Sequence, residues 1–66
     1  MKNFRIYGKD NKMKSYKAFD YSNGFFVDNL IYATIIKENE YDKAIKAIDF
    51  MNSNNKDYHF ELREVK

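Results

Sequence analysis

Leu30-Ile31-Tyr32-Ala33-Thr34-Ile35-Ile36-Lys37 is the stretch on which the fold turns. Its β-branched and aromatic content predicts a strand, and side chains alternate across a strand. Leu30, Tyr32, Thr34 and Ile36 would then line one face, and Ile31, Ala33 and Ile35 the other. Both sets are apolar, yet the chain offers one helix to cover them. The second face is therefore expected to meet a partner, a second copy or a ligand.

Downstream of this stretch, Tyr41, Ala44, Ile45, Ile48 and Met51 recur at helical spacing and define a buried stripe. Asn39 is placed to cap that helix, with Asp42 completing a capping box and Glu40 adding charge at the positive end of the dipole. Asn52-Ser53-Asn54-Asn55 ends it, with asparagine suited to a left-handed terminal residue. Tyr58, Phe60 and Leu62 then alternate with His59, Glu61 and Arg63 in a last strand.

Upstream, Asn3–Tyr7 alternates as a first strand, and Gly8–Lys12 reads as a polar turn. Tyr16–Tyr21 forms a second strand, and Asn23-Gly24 predicts a type I′ hairpin into Phe25-Phe26-Val27. Asp28-Asn29 marks a further turn or a bulge before Leu30. The order β-β-β(-β)-α-β defines a single α+β domain over residues 1–66. Its sheet is mostly antiparallel, its helix packs on one face, and a right-handed crossover would pair the strands flanking the helix in parallel.

Composition narrows the functional classes. A chain of 66 residues is near the lower limit for independent folding. It has no cysteine and a single histidine, so neither disulfides nor a Cys/His zinc site can staple it. Six Phe and six Tyr are the natural substitute, with self-association into a homodimer as the other. No signal peptide or membrane-length apolar run is present, so the chain reads as cytoplasmic with no membrane partner. Residues 1–17 hold six Lys/Arg against one Asp, whereas residues 18–66 hold six against nine Asp/Glu. One end is basic and the remainder mildly acidic.

Catalysis has little to draw on. His59 shares its strand face with Glu61 and Arg63, the pattern of a cross-strand polar ladder rather than of an acid–base site. Two glycines are too few for a phosphate-cradling loop, and Glu38, Glu40 and Asp42 serve a helix start. The chain is read as non-enzymatic, with no cofactor and no metal. Its binding residues are expected on the open sheet face: Tyr7, Phe19, Tyr21, Ile31, Ile35 and Arg63. Such residue types are enriched at protein interfaces. The alternative is nucleic-acid binding through the same aromatics with Arg5, Lys9, Lys12, Lys14 and Lys17. A third reading makes the open face a dimer interface, unless the Lys9–Ser15 loop with Met13 folds over it.

Phe19-Asp20, the run from Asn23 to Thr34 and the close Phe60-Glu61-Leu62-Arg63-Glu64-Val65 resemble small phage and mobile-element proteins of low-GC Gram-positive bacteria. Lys, Asn, Ile, Tyr and Phe make up 36 of 66 residues, in keeping with an AT-rich genome. The resemblance implies an inhibitor or adaptor that binds a host or defence protein, anti-CRISPR inhibitors being one such group. It carries no site residues with it, and a net charge of +2 departs from the acidic DNA mimics among such inhibitors.

Overall fold

The structure, a computed structural model, describes residues 1–65. It is α+β, with five strands and one helix: β1 (Asn3–Asp10), β2 (Lys17–Asp20), β3 (Phe25–Val27), β4 (Ile35–Lys37), α1 (Tyr41–Asn54) and β5 (Tyr58–Glu64). β1 is the centre of an antiparallel sheet. Along one edge it pairs with the whole of β5, from Phe4↔Glu64 to Asp10↔Tyr58. Its other edge is shared, with β4 on the first half (Phe4↔Ile36) and β2 on the second (Tyr7↔Ala18). β3 adds outside β2. Because β4 and β5 both run antiparallel to β1, they point the same way with β1 between them. The expected parallel pair is therefore split by the first strand.

Leu30–Lys37 is not one strand. Asn29 accepts a hydrogen bond from the Ile31 backbone N–H at 3.1 Å, and Leu30–Tyr32 winds into a 3-10 turn. Only Ile35–Lys37 joins the sheet. The alternation inferred for residues 30–33 fails with it: Ala33 is buried, while Ile31 is 77% exposed. A short side chain able to satisfy a backbone donor has overridden β-propensity.

The Asn23-Gly24 hairpin exists, but with a four-residue loop instead of a type I′ turn. Gly24 alone has positive φ, at 75°, and its N–H donates to the Asp20 carbonyl at 2.8 Å. The Asp20 carboxylate accepts from the Asn23 backbone N–H (3.3 Å) and side-chain amide (2.7 Å). These bonds favour the ionised form and hold the carboxyl below the ordinary 3.8. Gly8 lies within β1 rather than in a turn. A Cβ there would fall 2.4 Å from the Phe60 ring, so the cross-strand Gly8↔Phe60 pair works because one member has no side chain.

Both helix ends differ from expectation. Asn39 sits inside a 3-10 turn over Glu38–Glu40, and the Glu40 side chain accepts from the Lys37 N–H at 3.2 Å. At the C-terminus no non-glycine residue adopts positive φ, and Asn55 has φ −132°. The Asn54 and Asn55 amides donate to the Phe50 and Met51 carbonyls instead. Side-chain donors thus satisfy carbonyls that a left-handed residue would otherwise have served. Ala44 and Ile48 are the buried helix positions. Ile48 joins Ile6, Phe19 and Phe60 in the core, with Phe26, Ile36, Met51 and Leu62 packed around them. Asn52 clamps α1 to the sheet: its amide donates to the Phe60 carbonyl (3.1 Å) and its oxygen accepts from the Phe60 N–H (2.8 Å). That carboxamide pairs with the outer edge of β5 as a neighbouring strand would.

Candidate functional site

The register of β1 sorts the sheet into two faces. Phe4, Ile6 and Gly8 turn toward the helix with Phe60, Leu62 and Ile36. Arg5, Tyr7 and Lys9 turn away, with Arg63, Glu61 and His59 opposite them on β5. Ile35 and Ala18 share this second face from the other edge.

Of the six residues expected on the open face, three are there: Tyr7, Ile35 and Arg63. Phe19 is not. It is buried in the core, its ring 5.2 Å from that of Phe26 and 5.0 Å from that of Phe60. Tyr21 follows the parity of Phe19 and lines a groove of about 240 Å³ on the helix side with Ile6, Ile36, Lys43 and Ala44. The pairing that decides both placements, Tyr7↔Ala18, sets Ala18 on the open face and so turns Phe19 inward. Ile31 is on neither face, being held outward by the 3-10 turn.

The middle of the open face is an aromatic clamp. The Arg63 guanidinium carbon lies 4.7 Å from the centre of the Tyr7 ring and 4.9 Å from that of Tyr16. Its Nε donates to Glu61 at 2.6 Å. Tyr16 also meets His59 edge-on, with ring centres 6.2 Å apart. His59 lies opposite Lys9 on the same face as Glu61 and Arg63. Tyr16 is the residue that sequence reasoning missed. It sits just before β2 with the parity of Ala18, and only the Tyr7↔Ala18 register decides which face that parity meets. The connection around it does fold back: Asp10 accepts from the backbone N–H of Lys12 and Met13, and Lys9 Nζ donates to the Met13 carbonyl. Coverage of the face comes from Tyr16 at the end of this loop.

The basic residues do not form one track. Arg5 and Lys9 are on the open face, Lys12 and Lys14 are exposed in the loop, and Lys17 pairs with Asp28 at 3.0 Å. Among the described residues, no group of three or more His, Cys, Asp or Glu side chains is arranged to hold a metal. No helix among them is long and apolar enough to cross a membrane.

A run of exposed apolar side chains is contiguous in sequence with the open face. Leu30 (44%), Ile31 (77%), Tyr32 (63%) and Ile35 (44%) present four large side chains to solvent within six residues. Thr34 ties the end of this segment to the body of the fold: its N–H donates to the Phe19 carbonyl (3.3 Å), and its hydroxyl accepts from the Tyr21 N–H (2.8 Å). The segment is anchored at both ends while its apolar side chains stay in water. Comparison with protein-family models, with curated proteins and with solved structures finds no match.

Proposed function

We propose that this chain is a non-enzymatic protein-binding module that docks through the Leu30–Ile35 segment and the adjoining open face around Tyr7 and Arg63. The observation that carries this reading is the exposed run of Leu30, Ile31, Tyr32 and Ile35 on an anchored turn. Scattered apolar side chains are ordinary on a surface, but a contiguous group of this size marks an interaction site. Tyrosine and arginine beside it are the residue types that dominate binding hot spots. On this reading the module acts in the cytoplasm as a phage or mobile-element inhibitor or adaptor, and its partner is a host or defence protein.

Nucleic-acid binding is less well supported by the geometry. Phe19 is inside the core, and the Tyr7 and Tyr16 rings are each engaged by Arg63. Base stacking needs free aromatic faces.

The test compares the wild-type chain with Ile31→Asp, immobilised and exposed to nuclease-treated lysate of a Gram-positive host. Light scattering on both proteins would be run in parallel. A discrete protein retained by the wild type and lost in Ile31→Asp, at unchanged thermal unfolding, is the expected result. Equal retention by both proteins would overturn the proposal. A wild-type dimer that Ile31→Asp dissociates would assign the segment to self-association instead.

A further inference from the structure

Arg5 and Arg63 are Cα partners across the β1–β5 pair, and their side chains leave the sheet on the same open face. Like charges directly opposite each other in an antiparallel pair are destabilising. Arg63 is compensated by Glu61 on its Nε and by two tyrosine rings. Arg5 is not. Among the described residues it takes part in no ion pair, and its Nε is buried without a hydrogen-bond acceptor. A buried charged donor left unmet is costly, and native structures rarely keep one without a purpose or an unseen partner.

The geometry points to Arg5 and Arg63 as a recognition site for a carboxylate carried by the partner protein, a role that rests on the protein-binding reading above. Four basic side chains (Arg5, Lys9, Lys37 and Arg63) share the face with Glu61 and with Asp20, which is engaged in its own turn. The face is therefore complementary to an anion. A guanidinium takes a carboxylate through paired, charge-assisted hydrogen bonds, and the terminal amino groups of Arg5, which are not occluded as its Nε is and have no ion-pair partner among the described residues, are the donors left for one. The identity of the anion follows from what flanks Arg5. On the side away from Arg63 its cross-strand neighbour is Ile35, which leads back to the exposed Leu30–Tyr32 turn. A single anion beside an apolar patch matches an Asp or Glu side chain set among apolar residues of a protein. A phosphate backbone would call for an extended basic track, and Lys17 is already paired with Asp28.

The site can be probed without the partner. Arginine Nε–Hε cross-peaks would be followed by ¹H–¹⁵N NMR while sodium glutarate is titrated against sodium chloride at matched ionic strength. Inorganic phosphate and a dT oligonucleotide serve as separate arms. Glutarate is expected to shift the Arg5 and Arg63 Nε–Hε peaks along one saturating curve that chloride does not reproduce. Arg5→Gln should weaken that response, read at Arg63, by about tenfold, the loss of one charge-assisted hydrogen bond. An Arg5 peak unmoved by glutarate, or moved equally by chloride, would overturn the site. Tighter saturation by phosphate or by the oligonucleotide would overturn the assignment to a carboxylate. If Arg5→Gln fails to fold, the wild-type titration still decides. A negative result here would leave the Ile31→Asp experiment intact, so the two readings fail separately.

Discussion

Asn52 offers the sharpest test of how this small fold is held together. Its carboxamide makes two hydrogen bonds to the backbone of Phe60, a buried residue at the centre of the core. A net contribution of about 0.5–1.5 kcal/mol per bond gives roughly 1–3 kcal/mol for Asn52→Ala. The higher helix propensity of alanine returns about 0.5 kcal/mol of that. Urea unfolding followed by far-UV circular dichroism should show the loss directly. With a slope of about 1 kcal/mol per molar urea, the midpoint should fall by about 0.5–2.5 M. Asn54→Ala is the control, because it removes one exposed bond to the Phe50 carbonyl and touches neither strand nor core. It should stay within about 0.5 kcal/mol of wild type. Asn52→Asp keeps the acceptor for the Phe60 N–H but loses the donor to its carbonyl, so it too should be destabilised. A midpoint for Asn52→Ala no lower than that of Asn54→Ala would refute the clamp.

Two other perturbations follow from local geometry. Gly8→Ala sets a methyl against the Phe60 ring and 3.1 Å from the His59 carbonyl, so the core must shift. A loss of about 1–3 kcal/mol in thermal or urea unfolding is expected, and a neutral result would mean that the ring moves freely. Asp20 has a folded pKa below its unfolded one, so its contribution to stability is present above about pH 4 and fades as pH falls through the folded value. The stability gap between wild type and Asp20→Ala should accordingly narrow below pH 3.8, and a gap constant from pH 6 to 2 would refute the role of its ionised form.

Much of the architecture is legible from periodicity. The helix stripe around Ala44 and Ile48 and the alternation of Phe60 and Leu62 report burial locally, because each repeats at the period of its element. What periodicity does not contain is register. Whether Phe19 faces the helix or the open side depends on Ala18 pairing with Tyr7, a fact set across two strands. Leu30–Tyr32 misleads for a different reason. Its residues are strong strand formers, but the Asn29 side chain captures the backbone donor that a strand would have used. The missed Tyr16 shares the parity of Ala18, so the register that turns Phe19 inward is also what brings Tyr16 to the open face. Leu30 and Tyr32, which read as covered strand residues, lie at the surface, which is why the segment that misled the fold also carries the proposed docking site.

The pairing of β1 with β5 also has a consequence for biosynthesis. The Val65 N–H donates to the Asn3 carbonyl at 2.8 Å, so the first and last strands close the sheet together. The central strand is made before the other four and waits for its longest partner until β2, β3, β4 and α1 have all been made. Meanwhile Phe4 and Ile6 have no sheet to join along that edge, and the core residue Phe60 has not yet been added. Closing so long a loop is slow compared with pairing neighbours. Folding therefore waits for β5, and the interval before it is when Leu30, Ile31 and Tyr32 are most open to aggregation.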